Sequence, residues 1–294
     1  MKTKLFFFAV LLMALDSLRA QDFQEQFNQA IFDDSIQLQE KILDAWRLQG
    51  GDSEADYHVA RFNYFFRQAF VEGMHTNTSY PPGEENVMVM YDSTGTAWYM
   101  YMGFILMDST LVDSAMAEIA KGIACQPNRM DVYLGGIYTL LTAERWNAAI
   151  DRINAMIDYS RKINHQWMFD QEKAGVKEMV SAVEDYLAKL FSSVDLNATI
   201  PSDEEEQRLL AVRSIATQLH EIDPRDVISL NFIAASYSFF FDYKTAQPFL
   251  EKAFKIDKKD CIVLSNLYDV ATHNEDKKMA KKALKNLKRY CSEE

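Results

Sequence analysis

Residues that break regular structure are scarce in this chain of 294 residues, which has 10 glycines and 6 prolines. A fold of many short strands needs turns rich in these residues, and a disordered chain is poor in apolar side chains. Here 48% of the residues are hydrophobic. The composition therefore disfavours a turn-rich β fold and disorder, and it predicts an all-α protein.

Motifs for catalysis and metal binding are also absent. The sequence contains no G-x-S-x-G elbow, no phosphate-binding glycine loop and no H-E-x-x-H zinc helix. Its 5 histidines are scattered without the spacing of metal ligands, and Cys125 has no local signature of a thiol nucleophile. We therefore predict a protein that is not an enzyme, with no catalytic residue, no metal and no cofactor. A hydrolase or other enzyme stays an alternative, because fold and function are only loosely tied.

Long apolar runs are absent except near the amino terminus, where one extends from Leu5 to Leu15. Lys2 and Lys4 precede this run, and Ala20 follows it after a short polar stretch. A basic start, a short apolar core and a small residue are the parts of a secretory signal peptide. A membrane anchor is the alternative, but a span needs about 20 apolar residues. We predict cleavage after Ala20 and a periplasmic or secreted mature chain without a transmembrane span.

Positive charge is in short supply as well, since the net charge is −12 at pH 7. Removal of residues 1–20 takes away three basic residues and one acidic residue, which makes the net charge −14. Phosphate backbones bind to accumulated Lys and Arg side chains. We therefore predict no nucleic-acid partner.

Small and large apolar residues recur in the same order every 34 residues along the chain. We call this interval the repeat period. This interval separates Ala246 from Ala280, Leu250 from Leu284, Ala115 from Ala149, and Ile119 from Ile153. A helical hairpin of this length cannot bury its apolar face alone and must stack on its neighbours. The recurrence predicts an α-solenoid of stacked antiparallel helix pairs.

These positions resemble those of the tetratricopeptide repeat (TPR) family, which has the same period of about 34 residues. Residues 227–260 are the best copy, and Asp223-Pro224 matches the family's break before a new repeat. The signature places of this copy are filled by Ile233, Ala234, Tyr237, Tyr243, Ala246, Leu250 and Ala253. In residues 96–129, Gly103 takes the small place of the first helix. The resemblance implies an exported bacterial TPR-containing protein with a TPR-like superhelix.

The repeats and the breaks between them divide the chain into segments. We predict a signal peptide at 1–20, a helical hairpin at 21–74, a loop at 75–95, two TPR-like repeats at 96–163, an irregular elongated helical pair at 164–226, and two further TPR-like repeats at 227–294. The irregular pair is expected to contain one long helix at 165–194. Ser202 and Glu205 form a capping box that opens its second helix.

The resemblance to peptide-binding TPR domains implies a non-catalytic scaffold that binds a protein or peptide on a concave face. The implied binding positions on the first helix of each repeat are Met100, Phe104, Met107, Leu134, Tyr138, Leu141, Asn231, Ala235, Phe239, Ser265, Asp269 and His273. The family's clamp for a peptide carboxylate needs Lys and Arg on this wall, and they are absent here. We therefore expect an apolar or aromatic segment as the ligand. The alternative is that these stripes are core covered by other helices.

A surface protein that binds glycans or captures nutrients is a second functional alternative, suggested by export and by 13% aromatic residues. Sugar platforms need exposed Trp or Tyr side chains. Most aromatic residues here, such as Phe62, Phe66 and Phe70, instead follow the apolar stripes of helices. The identity of the partner stays open.

Basic residues concentrate in the last predicted helix, without an acidic residue among them. They are Lys277, Lys278, Lys281, Lys282, Lys285, Lys288 and Arg289. Their spacing predicts a polar face opposite Ala280, Leu284 and Leu287. We interpret this face as the polar cap that a repeat array needs for solubility, with a docking patch for anions as the alternative.

Three cysteines leave at least one thiol unpaired. Cys261 opens the first helix of the last repeat and Cys291 closes its second helix, so an antiparallel hairpin places both at the same end. We predict that they are neighbours, and that they form a disulfide if their Cα atoms lie within about 7 Å. The alternative is a pair of buried thiols. Cys125 is expected to stay apart from both.

Overall fold

The computed structural model of the protein describes residues 22–78, 87–194 and 201–291. The predicted signal peptide, with its cleavage point after Ala20, lies outside these residues. Twelve α-helices follow one another in the described part: α1 (22–32), α2 (Ile36–Leu48), α3 (Ala55–Ala69), α4 (Ser109–Cys125), α5 (Met130–Thr142), α6 (Trp146–Lys162), α7 (Val176–Ser192), α8 (Asp203–Ile222), α9 (Val227–Phe239), α10 (Tyr243–Ile256), α11 (Cys261–His273) and α12 (Lys277–Tyr290). None of these helices is both long and apolar enough to span a bilayer.

Five strands accompany the helices: β1 (Phe70–Asn77), β2 (Met88–Tyr91), β3 (Ala97–Leu106), β4 (Trp167–Phe169) and β5 (Glu172–Ala174). The first three form a sheet in the order β1-β3-β2, and the last two form a hairpin. The fold is therefore mostly helical with small sheets added, and the prediction of an all-α chain missed these strands.

The predicted first helix of the repeat at 96–129 is wrong, because β3 occupies its place. Asp92 turns the chain into this strand by accepting hydrogen bonds from the backbone N–H groups of Thr94 and Thr96, at 2.8 and 3.0 Å. Gly95 has a φ of +85°, which suits a glycine in a tight turn. β1 and β2 likewise occupy parts of the predicted loop at 75–95, of which residues 79–86 lie outside the described residues.

Gly103 has a different role from the one the repeat implies. A Cβ atom at this position would meet the ring of His75 at 2.8 Å. The missing side chain therefore makes room for a cross-strand neighbour between β1 and β3, and it does not serve a close crossing of helices.

The long helix predicted at 165–194 is also wrong over its first third, where β4 and β5 form a hairpin before α7 begins. Asp170 in the two-residue turn has a φ of +54°, a conformation that a helix interior does not allow. Trp167 is buried with its ring 5.4 Å from that of Tyr133 on α5. The buried guanidinium of Arg129 lies 3.8 Å from the Asp170 carboxylate. These contacts explain why the chain folds back here and does not continue as helix.

The described residues form two compact units. The first comprises 22–76, 100–145 and 167–173, and the second comprises 77–78, 87–99, 146–166, 174–194 and 201–291. In the first unit, α1, α2 and α3 share a core around Phe27, Trp46 and Tyr57. Phe62 of α3 then packs with Ala115 and Ile119 of α4. Thus α3, and not residues 96–107, supplies the helix that pairs with α4.

The second unit contains three consecutive helix pairs, α7/α8, α9/α10 and α11/α12, and the prediction of stacked antiparallel pairs is confirmed. The last two pairs share one buried cluster, consisting of Leu230, Ala234, Ala246, Leu250, Ala253, Phe254, Val263, Leu264, Leu267, Val270 and Ala283. Four helices of this unit begin at an aspartate N-cap whose side chain accepts a backbone hydrogen bond: Asp226, Asp242, Asp260 and Asp276. These caps recur at the repeat period, and so do the left-handed turn residues Phe241 and Glu275, with φ of 59° and 58°.

Cys261 and Cys291 join the two ends of the last pair. They form a disulfide with their Cα atoms 5.7 Å apart, which lies within the limit of about 7 Å and confirms the predicted pairing. Cys125 is an exposed free thiol.

Candidate functional site

Side chains from α7, α9 and α11, with Asp260 at the start of α11, line an open pocket of about 240 Å³ in the second unit. These are the first helices of the three consecutive pairs, so the pocket lies on one face of the stack. We call this the first-helix face. Its apolar walls are Ala188, Val227, Ile228, Phe232, Ile262 and Val263.

Two isoleucines on this face stay open to solvent although they are large and apolar. Ile228 is 48% exposed and Ile262 is 66% exposed. They occupy equivalent places one repeat period apart, one each in the first turn of α9 and α11. An exposed apolar residue repeated at the same place of two helices, beside a pocket, is typical of a binding surface.

Three acidic residues line the pocket: Asp185 on α7, Asp260 at the start of α11, and Glu184 on α7. Glu184 differs from the other two in its burial. It is buried, and its Oε1 accepts a hydrogen bond of 3.4 Å from Oγ of Ser229 on α9. Burial raises the pKa of Glu184 to about 9, with a further contribution from the neighbouring Asp226 carboxylate. At neutral pH Glu184 is therefore uncharged and can donate a hydrogen bond to Asp226.

Asp226 carries the charge of this pair. Burial by itself raises the pKa of Asp226, but hydrogen bonds from Glu184, Ser229 and the backbone outweigh burial and hold that pKa below its usual value. The Asp226 carboxylate accepts from the backbone N–H groups of Ile228 and Ser229, at 3.3 and 2.7 Å. The pair thus caps α9 and ties it to α7 beneath the pocket.

The sequence-predicted residues of the second unit lie along this face. Asn231 lines the pocket, and its Oδ1 accepts a hydrogen bond of 2.8 Å from Asn266 on α11. Ala235 and Phe239 follow on α9 at intervals of four residues, which corresponds to about one helical turn each.

Ser265, Asp269 and His273 are exposed on α11, as the prediction requires for a surface. The ring of His273 stacks on that of Tyr243 with centroids 4.2 Å apart, and its Nδ1 lies 2.9 Å from the Asp269 carbonyl oxygen. This histidine is therefore held by protein groups at one end of the face.

The predicted binding residues Met100, Phe104 and Met107 of the first unit do not lie on a first helix. Met100 and Phe104 belong to β3, and Met107 follows directly after it. Phe104 packs between the rings of Phe66 and Phe70, with centroids 5.3 and 6.4 Å away. It is part of an aromatic cluster, so the core alternative describes it better than a groove.

Leu134, Tyr138 and Leu141 do lie on a helix, α5, but they differ in exposure. Leu141 is 1% exposed and belongs to the core, so its assignment to a binding surface is wrong. Tyr138 is 38% exposed, and its ring lies 6.5 Å from that of Phe104. Leu134 is half-buried.

Apart from Asn231, the sequence analysis missed the residues that build the pocket, although one signal was available. The segments Asp226–Leu230 and Asp260–Leu264 read DVISL and DCIVL, and they align at the repeat period. In each segment the first and fifth residues are a cap and a buried leucine. The isoleucine between them therefore points to another side of the helix.

A second polar cluster, in the first unit, is fully paired. Nδ1 of the buried His58 lies 2.7 Å from the buried Glu118 carboxylate. That carboxylate also accepts from Arg61 and Lys121, at 3.1 and 2.9 Å. The cluster ties α3 to α4. Across the described ranges, no three His, Cys, Asp or Glu residues are arranged to hold a metal ion.

Comparison with known proteins gives structural likeness only. No family model matches the chain, and no curated protein does. Among solved structures, the chain is similar to that of Pseudomonas aeruginosa pilF, with 9% identity and a TM-score of 0.40 over 63% of this chain and 71% of that chain. It is similar to a tetratricopeptide repeat protein from Parabacteroides merdae, with 11% identity and a TM-score of 0.29 over 94% of both chains. The C-terminal part of a TPR repeat-containing protein from Cytophaga hutchinsonii shows 13% identity and a TM-score of 0.30 over 92% of this chain and 95% of that chain. These values assign no function. The TPR-like character of the fold rests on the stacked pairs and on the periodic recurrence of their caps and turns.

Proposed function

We propose that this chain is an exported, non-catalytic scaffold that binds an apolar or aromatic segment of a partner protein on its first-helix face. The pocket between α7, α9 and α11 carries this proposal. Binding there would remove the exposed Ile228 and Ile262 from water.

The size of the pocket favours a side chain as its occupant. Sites for small molecules and cofactors usually measure about 300–1,000 Å³. A pocket of about 240 Å³ suits one or two side chains of a bound segment. Full burial of a Leu or Phe side chain contributes about 1.5–3 kcal/mol.

Polar groups around the walls can hold the backbone of such a segment. Asn231 and Ser181 both line the pocket. Since Oδ1 of Asn231 already accepts from Asn266, the Asn231 amide nitrogen is the group that faces a ligand as a donor. Because Glu184 is uncharged, an apolar side chain can approach its carboxyl group, whereas the carboxylates of Asp185 and Asp260 also line the pocket and favour water or a donor beside them.

Export has support at both ends of the chain. The amino-terminal pattern that ends at Ala20 is that of a signal peptide. The disulfide between Cys261 and Cys291 is of a kind that persists in oxidising compartments such as the periplasm.

A displayed library of random peptides tests the binding proposal. Peptides are selected on the unmodified chain, and their affinities are then measured for two variants. We expect the selected peptides to carry Leu, Phe, Tyr or Trp. Ile228→Asp should weaken their binding at least about tenfold, because it replaces an apolar side chain that the ligand would cover with a carboxylate that would lose its hydration.

Leu210→Asp is the matched control. Leu210 on α8 is 44% exposed, close to the value for Ile228, but it lies on a second helix outside the pocket. Its substitution should leave the affinities unchanged. Equal losses in both variants, or none in Ile228→Asp, would overturn the proposal.

A further inference from the structure

The outer face of α12 is a surface of one charge. All seven charged side chains of this helix are cationic, and all are exposed. They are Lys277, Lys278, Lys281, Lys282, Lys285, Lys288 and Arg289. At 100° per residue they occupy one continuous side of the helix, opposite the buried Ala283. We call this side the basic face.

Acidic residues do not neutralise the centre of this face. Among the ion pairs of the described residues, none involves Lys281 or Lys285. Nζ of Lys282 instead lies 4.8 Å from the ring centroid of Phe254 on α10, and the guanidinium of Arg289 lies over Tyr290. The face therefore keeps its positive charge in a chain whose net charge is −12.

Solubility alone does not explain this pattern. The polar end of a repeat array needs polar residues, but it does not need charges of a single sign. Like charges four residues apart destabilise a helix, and the face contains such pairs, for example Lys281 with Lys285. Lys277 and Lys278 also lie in the first turn, where the helix dipole disfavours cations. These local costs point to a use for the concentrated charge.

The basic face is held in place at both ends. Asp276 caps the start of α12, and its carboxylate accepts a hydrogen bond of 3.0 Å from Gln247 on α10. The disulfide between Cys261 and Cys291 fixes the other end. Near that end, Nζ of Lys259 lies 5.6 Å from the ring of Tyr290, which extends the charge onto the connection between α10 and α11. A ligand would therefore meet a helix whose backbone is already in position.

The composition of the face decides between kinds of anionic ligand. Stable attachment to a membrane needs an apolar insertion beside the basic residues, and single-stranded nucleic acid needs aromatic platforms. The outward side of α12 offers neither, and Tyr290 at its end is the one aromatic residue of this helix. The row from Lys277 to Arg289 is about 18 Å long, which an extended peptide of about six residues covers.

We propose that the basic face of α12 docks an acidic segment of a partner protein, a run of about six residues rich in Asp and Glu. This surface is separate from the first-helix face, since its residues project from a second helix. It serves a ligand of the opposite character, charged and not apolar.

Fluorescence anisotropy with a labelled ten-residue oligoglutamate peptide tests this proposal on the purified chain. We expect binding that weakens steeply between about 50 and 300 mM NaCl, because the contacts are ionic. Lys281→Glu with Lys285→Glu should lower the affinity at least about tenfold at the lower salt concentration.

Lys41→Glu with Lys177→Glu is the control with the same change in net charge. Both lysines are exposed on other helices, α2 and α7. This control variant should bind the peptide with an affinity within about twofold of that of the unmodified chain. Circular dichroism should show that both double variants are folded. Equal losses of affinity in the two double variants would show that only the net charge of the chain matters, and they would overturn the proposal.

Three further outcomes would also contradict it. The first is no measurable binding of oligoglutamate by the unmodified chain. The second is tighter binding of an oligothymidylate or of phosphatidylglycerol vesicles, which assigns the face to phosphate ligands. The third is salt-dependent dimerisation lost on Lys281→Glu with Lys285→Glu, which assigns the face to a second copy of this chain.

Discussion

The two units of this protein show the same periodic recurrence in sequence but use it differently. In the second unit, the recurring positions include the aspartate caps and the left-handed turns that start and end helices. Residues one repeat period apart therefore occupy the same structural place in successive helix pairs. In the first unit, the copy at 96–129 aligns by apolar residues such as Ala115 and Ile119 of α4. This helix also has an aspartate cap, Asp108, but a strand and not a helix precedes it. Apolar spacing and a single cap identify a helix, whereas caps and turns that recur at the repeat period identify the pair to which it belongs.

The disulfide of the second unit offers the first test of the difference between the two units. Cys261→Ser with Cys291→Ser should lower the free energy of unfolding by about 3 kcal/mol, because the open chain gains entropy. Hydrogen exchange should quicken in α11 and α12 and stay unchanged in α3 and α4. The control is Cys125→Ser, at an exposed free thiol, which should leave both regions as they are. Equal acceleration in α3 and α4 would contradict the separation into two units.

A smaller effect tests the strand in the first unit. In a helix, Gly103→Ala would stabilise the protein by about 1 kcal/mol. In β3 the added Cβ meets the ring of His75, so we expect a loss of about 1 kcal/mol in urea unfolding. His75→Ala should remove the clash, so that Gly103→Ala becomes harmless in that background. Stabilisation by Gly103→Ala alone would restore the helical repeat at 96–129.

The third test is a pH dependence, and it concerns the carboxyl pair beneath the pocket. Since the pKa of Glu184 rises from 4.5 to about 9 on folding, its contribution to stability is complete below pH 4.5 and is lost as the pH rises towards 9. Glu184→Gln keeps a neutral hydrogen-bond donor beside Asp226. The decline in Tm from pH 5 to pH 9 should therefore be smaller in this variant than in the unmodified chain.

The exposed Glu178 on the same helix provides the comparison for that measurement. Glu178→Gln should keep the full decline of Tm with pH. A Glu184→Gln variant that loses stability as steeply as the unmodified chain would show that this pair does not share a proton across α7 and α9.

Much of the second unit could be predicted from the sequence, because its signals are local. The capping box of Ser202 and Glu205 opens α8, and a hydrogen bond of 2.8 Å joins the Ser202 N–H to the Glu205 carboxylate. Asn231, Ala235 and Phe239 follow from helical spacing. The neighbourhood of Cys261 and Cys291 follows from the antiparallel hairpin.

The pocket and the strands depend on contacts between residues far apart in the chain. Glu184 lies within the apolar stripe of α7, and the sequence does not show that Ser229 and Asp226 meet it there. In the first unit, β3 pairs with β1, and Gly103 leaves room for the ring of His75 on β1. The contacts of Glu184 and the strand β3 are both missed when every position is aligned to the repeat period, because that alignment assigns each position a place in a helix.

We propose that the first-helix face of the second unit, and not the aromatic cluster of the first, receives the partner segment. Hydrogen exchange with and without a selected peptide tests it most directly, since both units are observed in one experiment. We expect slower exchange in α7, α9 and α11, and no change in β1, β3 and α5. Protection confined to β1, β3 and α5 would contradict it and place the segment beside Phe104 and Tyr138.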